Sequence, residues 1–191
     1  MTLARLLCFA PIAFLCAPLS ASAIVTDGTW YEFTFGLAPN PVIGCAGQVC
    51  SPTTNPVADM TSTAPWTFTG PAMLQVLDFG DIGDQFSVFD NGVSIGSTST
   101  TTGSGRPCDL DIACALANIG PTGYSSGMFN LGSGSHSITI DVIANASGTS
   151  GGQAVFRATA TGAPSVPEPA SYLLVGSVLG GAGLFRARRR T

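Results

Sequence analysis

Between residues 24 and 163 the chain alternates short apolar or β-branched runs with clusters of Gly, Pro, Asn, Asp and Ser, and no stretch carries an amphipathic helical period. Residues 29–36 (TWYEFTFG) set Trp30, Glu32 and Thr34 against Tyr31, Phe33 and Phe35. Residues 65–70 place Trp66 and Phe68 on one face, and 72–79 (AMLQVLDF) are apolar almost throughout, as a strand covered on both faces would be. Around Asn91-Gly92 the pattern predicts a hairpin, because both residues tolerate the positive φ of a type I′ turn. A two-residue loop there pairs Asp90 with Val93 and Val88 with Ile95. Runs at 137–144 and 153–160 bring the expectation to at least seven strands in an all-β, single β-sandwich or jelly-roll-like domain. Residues 97–105 and 147–152 are expected as exposed loops, and 113–119 as one turn of helix.

The ends follow another logic. Residues 1–23 read as a signal peptide: Arg5, an apolar run over 6–15, Pro18, and then the small Ala21 and Ala23 that suit signal peptidase. Cleavage after Ala23 starts the mature chain at Ile24. Residues 164–191 are also segmented. Pro167-Glu168-Pro169 precedes sixteen uncharged residues, 170–185 (ASYLLVGSVLGGAGLF), and Arg186, Arg188, Arg189 and Arg190 follow. At about 1.5 Å per residue this span is short for a hydrocarbon core of about 30 Å, but Tyr172 at one interface and snorkelling arginines at the other extend its reach. The arginines keep the C-terminus cytoplasmic, which leaves residues 24–163 outside the inner membrane.

The tail resembles the PEP-CTERM sorting signal of exported proteins in Gram-negative bacteria that make extracellular polysaccharide. Val166, Pro167, Glu168 and Pro169, the apolar span and the arginine cluster carry the resemblance, which covers only about residues 164–191. It implies processing by exosortase, a membrane-embedded cysteine protease, with Pro167, Glu168 and Pro169 as the recognised residues. It further implies a C-terminal helix that anchors the chain transiently in the inner membrane before passage to the cell surface or the medium. The two prolines suit this role, since they hold the backbone extended and remove donors.

Composition narrows what the body can do. Only 9% of the 191 residues are charged, lysine is absent, and 45% are hydrophobic, so a core can form and disorder is not expected. Residues 24–163 hold ten acids against Arg106 and Arg157, a net −8 that disfavours nucleic acid as a partner. With the signal removed, Cys45, Cys50, Cys108 and Cys114 remain; four cysteines allow three connectivities, and the local pairs Cys45–Cys50 and Cys108–Cys114 are expected from their loop-bracketing positions. A zinc site from all four thiolates is the lesser reading.

Catalytic chemistry is sparse. His136 is the single histidine, expected at a strand edge on the surface. Three G-x-S-x-G matches, at Ser94, Ser125 and Ser150, lack the strand–turn–helix setting or the residue order of a Ser-His-Asp hydrolase. Asp78, Asp81, Asp84 and Asp90 form a candidate Ca²⁺ site, with Asp109 and Asp111 as a second acidic pair; neither matches an EF-hand. Trp30, Tyr31, Trp66 and Tyr124 are the aromatics that could stack on sugar, with Tyr124 the one expected at the surface. The expected function is non-catalytic contact by an exported surface or matrix protein, with extracellular polysaccharide as a possible partner and no required cofactor. A carbohydrate- or Ca²⁺-binding module is the alternative, and a secreted hydrolase the remoter one.

Overall fold

The computed structural model describes residues 21–48 and 50–162. The signal-peptide residues 1–20 and the whole sorting signal, 164–191, lie outside the described residues, as does the apolar span 170–185. Among the described residues no helix is long and apolar enough to cross a membrane.

The fold is all-β. Its strands are β1 (Ser22–Ala23), β2 (Asp27–Phe35), β3 (Asn40–Pro41), β4 (Ile43–Gly44), β5 (Trp66–Asp78), β6 (Gln85–Asp90), β7 (Val93–Ser97), β8 (Ser126–Ala144) and β9 (Gly152–Ala160), with one short helix, α1 (Ile112–Ala117). They make one sheet in the order β4-β2-β9-β5-β8-β6-β7, antiparallel except that β1 runs parallel to β5. The sheet curls. β3 pairs with β8 at Val142 and Asp141, while β4 pairs with β2 at Phe33 and Thr34, so residues 40–44 bridge two strands that are distant in sheet order.

Curling puts β2 opposite β6. Phe33 meets Phe86 edge-on at 5.3 Å and also packs against Trp66 and Phe156, and Phe35 meets Phe86 at 5.1 Å. These rings, with Leu74, Val76, Ile138, Ile140 and Val142, form the main core inside the curl. The outer face is covered too. Trp30, Leu77 and Val155 point away from that core and pack under a cap of Ala58, Phe79, Ile82, Leu110, Ile112 and Tyr124. β2 is therefore buried on both faces from Trp30 to Phe33, and Glu32, on the Trp30 face, is buried with it.

Local chemistry explains several details. Asn91 and Gly92 take φ of 51° and 78°, as the I′ turn requires, and Asp90 pairs with Val93. The expected Val88–Ile95 pair does not form: a bulge shifts the register so that Val88 faces Gly96. Gly96 has φ of 135°, and a Cβ there would lie 3.1 Å from the Phe129 ring, so the bulge seats a glycine where only a glycine fits. The strands expected at 65–70 and 72–79 are one strand, β5, carried past Pro71 by a bulge. Helix α1 starts at Asp111, whose side chain accepts the Cys114 N–H at 2.8 Å and caps the helix.

Candidate functional site

Both local disulfides form, Cys45–Cys50 and Cys108–Cys114, with Cα separations of 5.8 and 5.5 Å. The second closes the capped start of α1, in the layer that covers Trp30 and Tyr124. The first borders a buried acid. A tight turn, with the Gln48 N–H donating to the Cys45 carbonyl, brings Cys50 back to Cys45 over Glu32. Glu32 Oε1 accepts from Gln153 Nε2, whereas Oε2 is buried without a partner. Burial pushes this carboxyl up to about 7.

The acidic loop after β5 is split by the structure. Asp78 and Asp84 are both buried and their charges interact. Burial, and then the nearby Asp84 charge, holds Asp78 well above the usual carboxylate range, against the pull of the Gly83, Gly80 and Asp84 N–H groups. Both oxygens of Asp78 are buried without a hydrogen-bond partner of good geometry. Asp84 Oδ1 accepts the Ala146 N–H at 2.8 Å; burial nevertheless raises its carboxyl to about 6. Asp81 lies outside, 3.9 Å from the Arg106 guanidinium. Asp90 does not join them. It sits at the far end of β6 with His136, so the four-carboxylate Ca²⁺ grouping is not assembled. The second acidic pair divides likewise: Asp109 meets Arg106 at 3.0 Å and Asp111 serves as the helix cap.

His136 is not a surface residue. It is 8% exposed and packs against Phe68. Nδ1 lies 2.8 Å from Asp90 Oδ2 and Nε2 lies 2.9 Å from the Gly132 carbonyl. A carbonyl only accepts, so Nε2 carries a proton; a proton on Nδ1 as well lets the imidazolium satisfy both partners. Burial opposes that charge, but the Asp90 hydrogen bond, the Gly132 carbonyl and the Asp90 charge outweigh it and raise the pKa. Gly70 makes the pocket possible, since any Cβ there would strike the Gly132 carbonyl and the imidazole.

No hydrogen bond joins His136 to Ser94, Ser125 or Ser150 among the described residues. Ser94 is in β7, and the buried Ser125 hydroxyl lies 2.6 Å from both Thr98 Oγ1 and the Ser99 carbonyl. The aromatic platform is not formed. Trp30, Tyr31, Trp66 and Tyr124 are all buried, Tyr124 completely, its hydroxyl accepting the Cys108 N–H at 3.1 Å. The turn-rich GPTGYSSG context suggested exposure, but the cap needs a large ring and Tyr124 supplies it. Trp30 instead stacks under Arg157, whose guanidinium carbon is 4.5 Å from the ring and whose Nε and Nη2 donate to Gln75. Sequence reasoning missed Glu32 as a site residue, because an acid in an alternating strand looks solvent-facing until the second layer is known.

No family model matches the chain, and no curated protein or solved structure matches it.

Proposed function

We propose that the chain is an exported protein, sorted by exosortase, that acts at the cell surface or in the extracellular matrix by non-catalytic contact, with extracellular polysaccharide as its neighbour there. The observation that carries this reading is the order of unlike features at 164–191: Val166-Pro167-Glu168-Pro169, an uncharged span over 170–185, then Arg186, Arg188, Arg189 and Arg190. Two disulfides in the body agree with an oxidising compartment. A body of two arginines and ten acids, folded as a curled, sandwich-like sheet, agrees with a scaffold whose contacts are not phosphate-directed.

The reading is tested by expressing the full chain with Glu168→Ala, and separately without residues 186–191, in a Gram-negative host that carries an exosortase. Intact mass of the protein from membrane and medium reports both cleavages. The expected result is processed wild-type protein and variants that stay membrane-bound and uncut at the tail. Normal processing of both variants overturns the assignment.

A further inference from the structure

Among the described residues, one group of three potential metal ligands converges: the Sγ atoms of Cys45 and Cys50 and a carboxylate oxygen of Glu32, all within 4.8 Å of one another. In the oxidised chain this grouping leaves a polar debt. Glu32 is completely buried, one oxygen is held by Gln153, and the other has no partner. A disulfide offers a carboxylate neither a proton nor a charge. A buried acceptor without a partner costs roughly 1–3 kcal/mol, so its retention calls for a second state that uses it.

We propose that reduction of Cys45–Cys50 turns these three side chains into a zinc-class metal site. The chemistry balances. A dithiol passes two electrons and two protons to the disulfide, giving two protein thiols and its own disulfide. Zn²⁺ then displaces both thiol protons and the proton of Glu32 where that carboxyl still holds one, releases them to solvent, and binds two thiolates with the Glu32 carboxylate. Two sulfurs and one oxygen are a normal borderline-soft donor set, a fourth position stays open to water, and the Cys-x₄-Cys spacing falls within the usual range for zinc. Gln153 donates to Glu32 Oε1, the outer hydrogen bond that orients a ligating carboxylate. Cys50 is partly exposed and gives the reductant and the ion a route in, while Cys45 is buried. Cys108 and Cys114 lack a third ligand at this spacing among the described residues, so the second pair is the internal control.

The test uses the full chain, reduced with a dithiol, desalted without oxygen and titrated with Zn²⁺ against a chromophoric chelator. Expected are one Zn²⁺ per reduced chain, none per oxidised chain, unchanged binding in Cys108→Ser/Cys114→Ser, loss in Cys50→Ser, and affinity at least tenfold weaker in Glu32→Gln. No uptake by the reduced chain, uptake that is lost with Cys108 and Cys114, or full affinity in Glu32→Gln overturns the site. If Glu32→Gln fails to fold when reduced, the zinc absorption edge of the wild-type chain decides: two sulfur and two lighter neighbours uphold the proposal, and any other sulfur count overturns it.

Discussion

Four buried groups with raised pKa values shape how stability follows pH: Asp78, Asp84, Glu32 and His136. Glu32 is buried and its carboxyl is raised to about 7, so the fold keeps its proton after the unfolded chain, with a value near 4.5, has released it. The Glu32 contribution to folding stability is therefore complete below about pH 4.5 and is lost as pH rises through about 7. Glu32→Gln should remove this part of the slope, which in the wild type amounts to on the order of 3 kcal/mol, as read by urea unfolding at a series of pH values. His136 works in the same direction for the opposite reason. Its folded pKa is raised, so its contribution is complete below the unfolded value near 6.5 and is lost as pH rises through the folded one. Asp90→Asn should cost roughly 1–3 kcal/mol at pH 6 and less at pH 9. Equal losses at both pH values would show that the imidazole is neutral. Neither Glu32 nor His136 was legible as a site. The flanking Ser135 and Ser137 read as a surface strand edge, and nothing in the sequence says that β6 pairs with β8 so that Asp90, opposite Ile138, brings its carboxylate to the His136 ring two residues away.

At the level of elements, legibility followed side-chain patterning. Strands with β-branched or aromatic patterning were visible: β2, both halves of β5, β6, β7, β9 and the C-terminal part of β8, residues 137–144. The first part of β8, residues 126–136, was not, because SGMFNLGSGSH carries the composition of a loop. It is a strand because β5 supplies a partner for nearly its whole length, with a bulge near Gly132 taking up the mismatch. The two-residue strands β3 and β4 were equally invisible, yet they close the curl. Gly44 shows how tightly: any Cβ there would fall on the Ser62 carbonyl and the Thr63 backbone. Gly44→Ala should destabilise the fold by roughly 1–3 kcal/mol, seen as a lower Tm, whereas Gly47→Ala, with open space around it, should lose only the smaller cost of its left-handed φ of 71°. Similar Tm values for the two variants would mean that residues 40–44 yield without cost.

Over the whole molecule the body and the expected leader meet at one point. Ser22–Ala23, the last two residues before the expected cut, form β1 against Trp66 and Thr67 of β5. The Ser22 N–H donates to the Pro65 carbonyl at 3.0 Å, and its hydroxyl accepts the Thr63 N–H at 2.8 Å. A peptidase must hold this same backbone extended in its own cleft, so docking of β1 and cleavage after Ala23 compete for one set of hydrogen bonds. On the proposed reading the order of events matters: export and cleavage would have to precede closure of this corner, and a chain cut after Ala23 would give up the Ser22 bonds, each worth about 1 kcal/mol net. Ile24, buried and donating its N–H to the Thr67 carbonyl at 2.9 Å, would then be the first anchored residue. Full-length chain refolded before exposure to signal peptidase should consequently be cut several-fold more slowly than the same chain presented in dilute urea, with Ala23–Ile24 as the bond broken in both. Equal rates would show that β1 does not guard the site, and a cut upstream of Ser22 would leave β1 in the mature protein and preserve its stability.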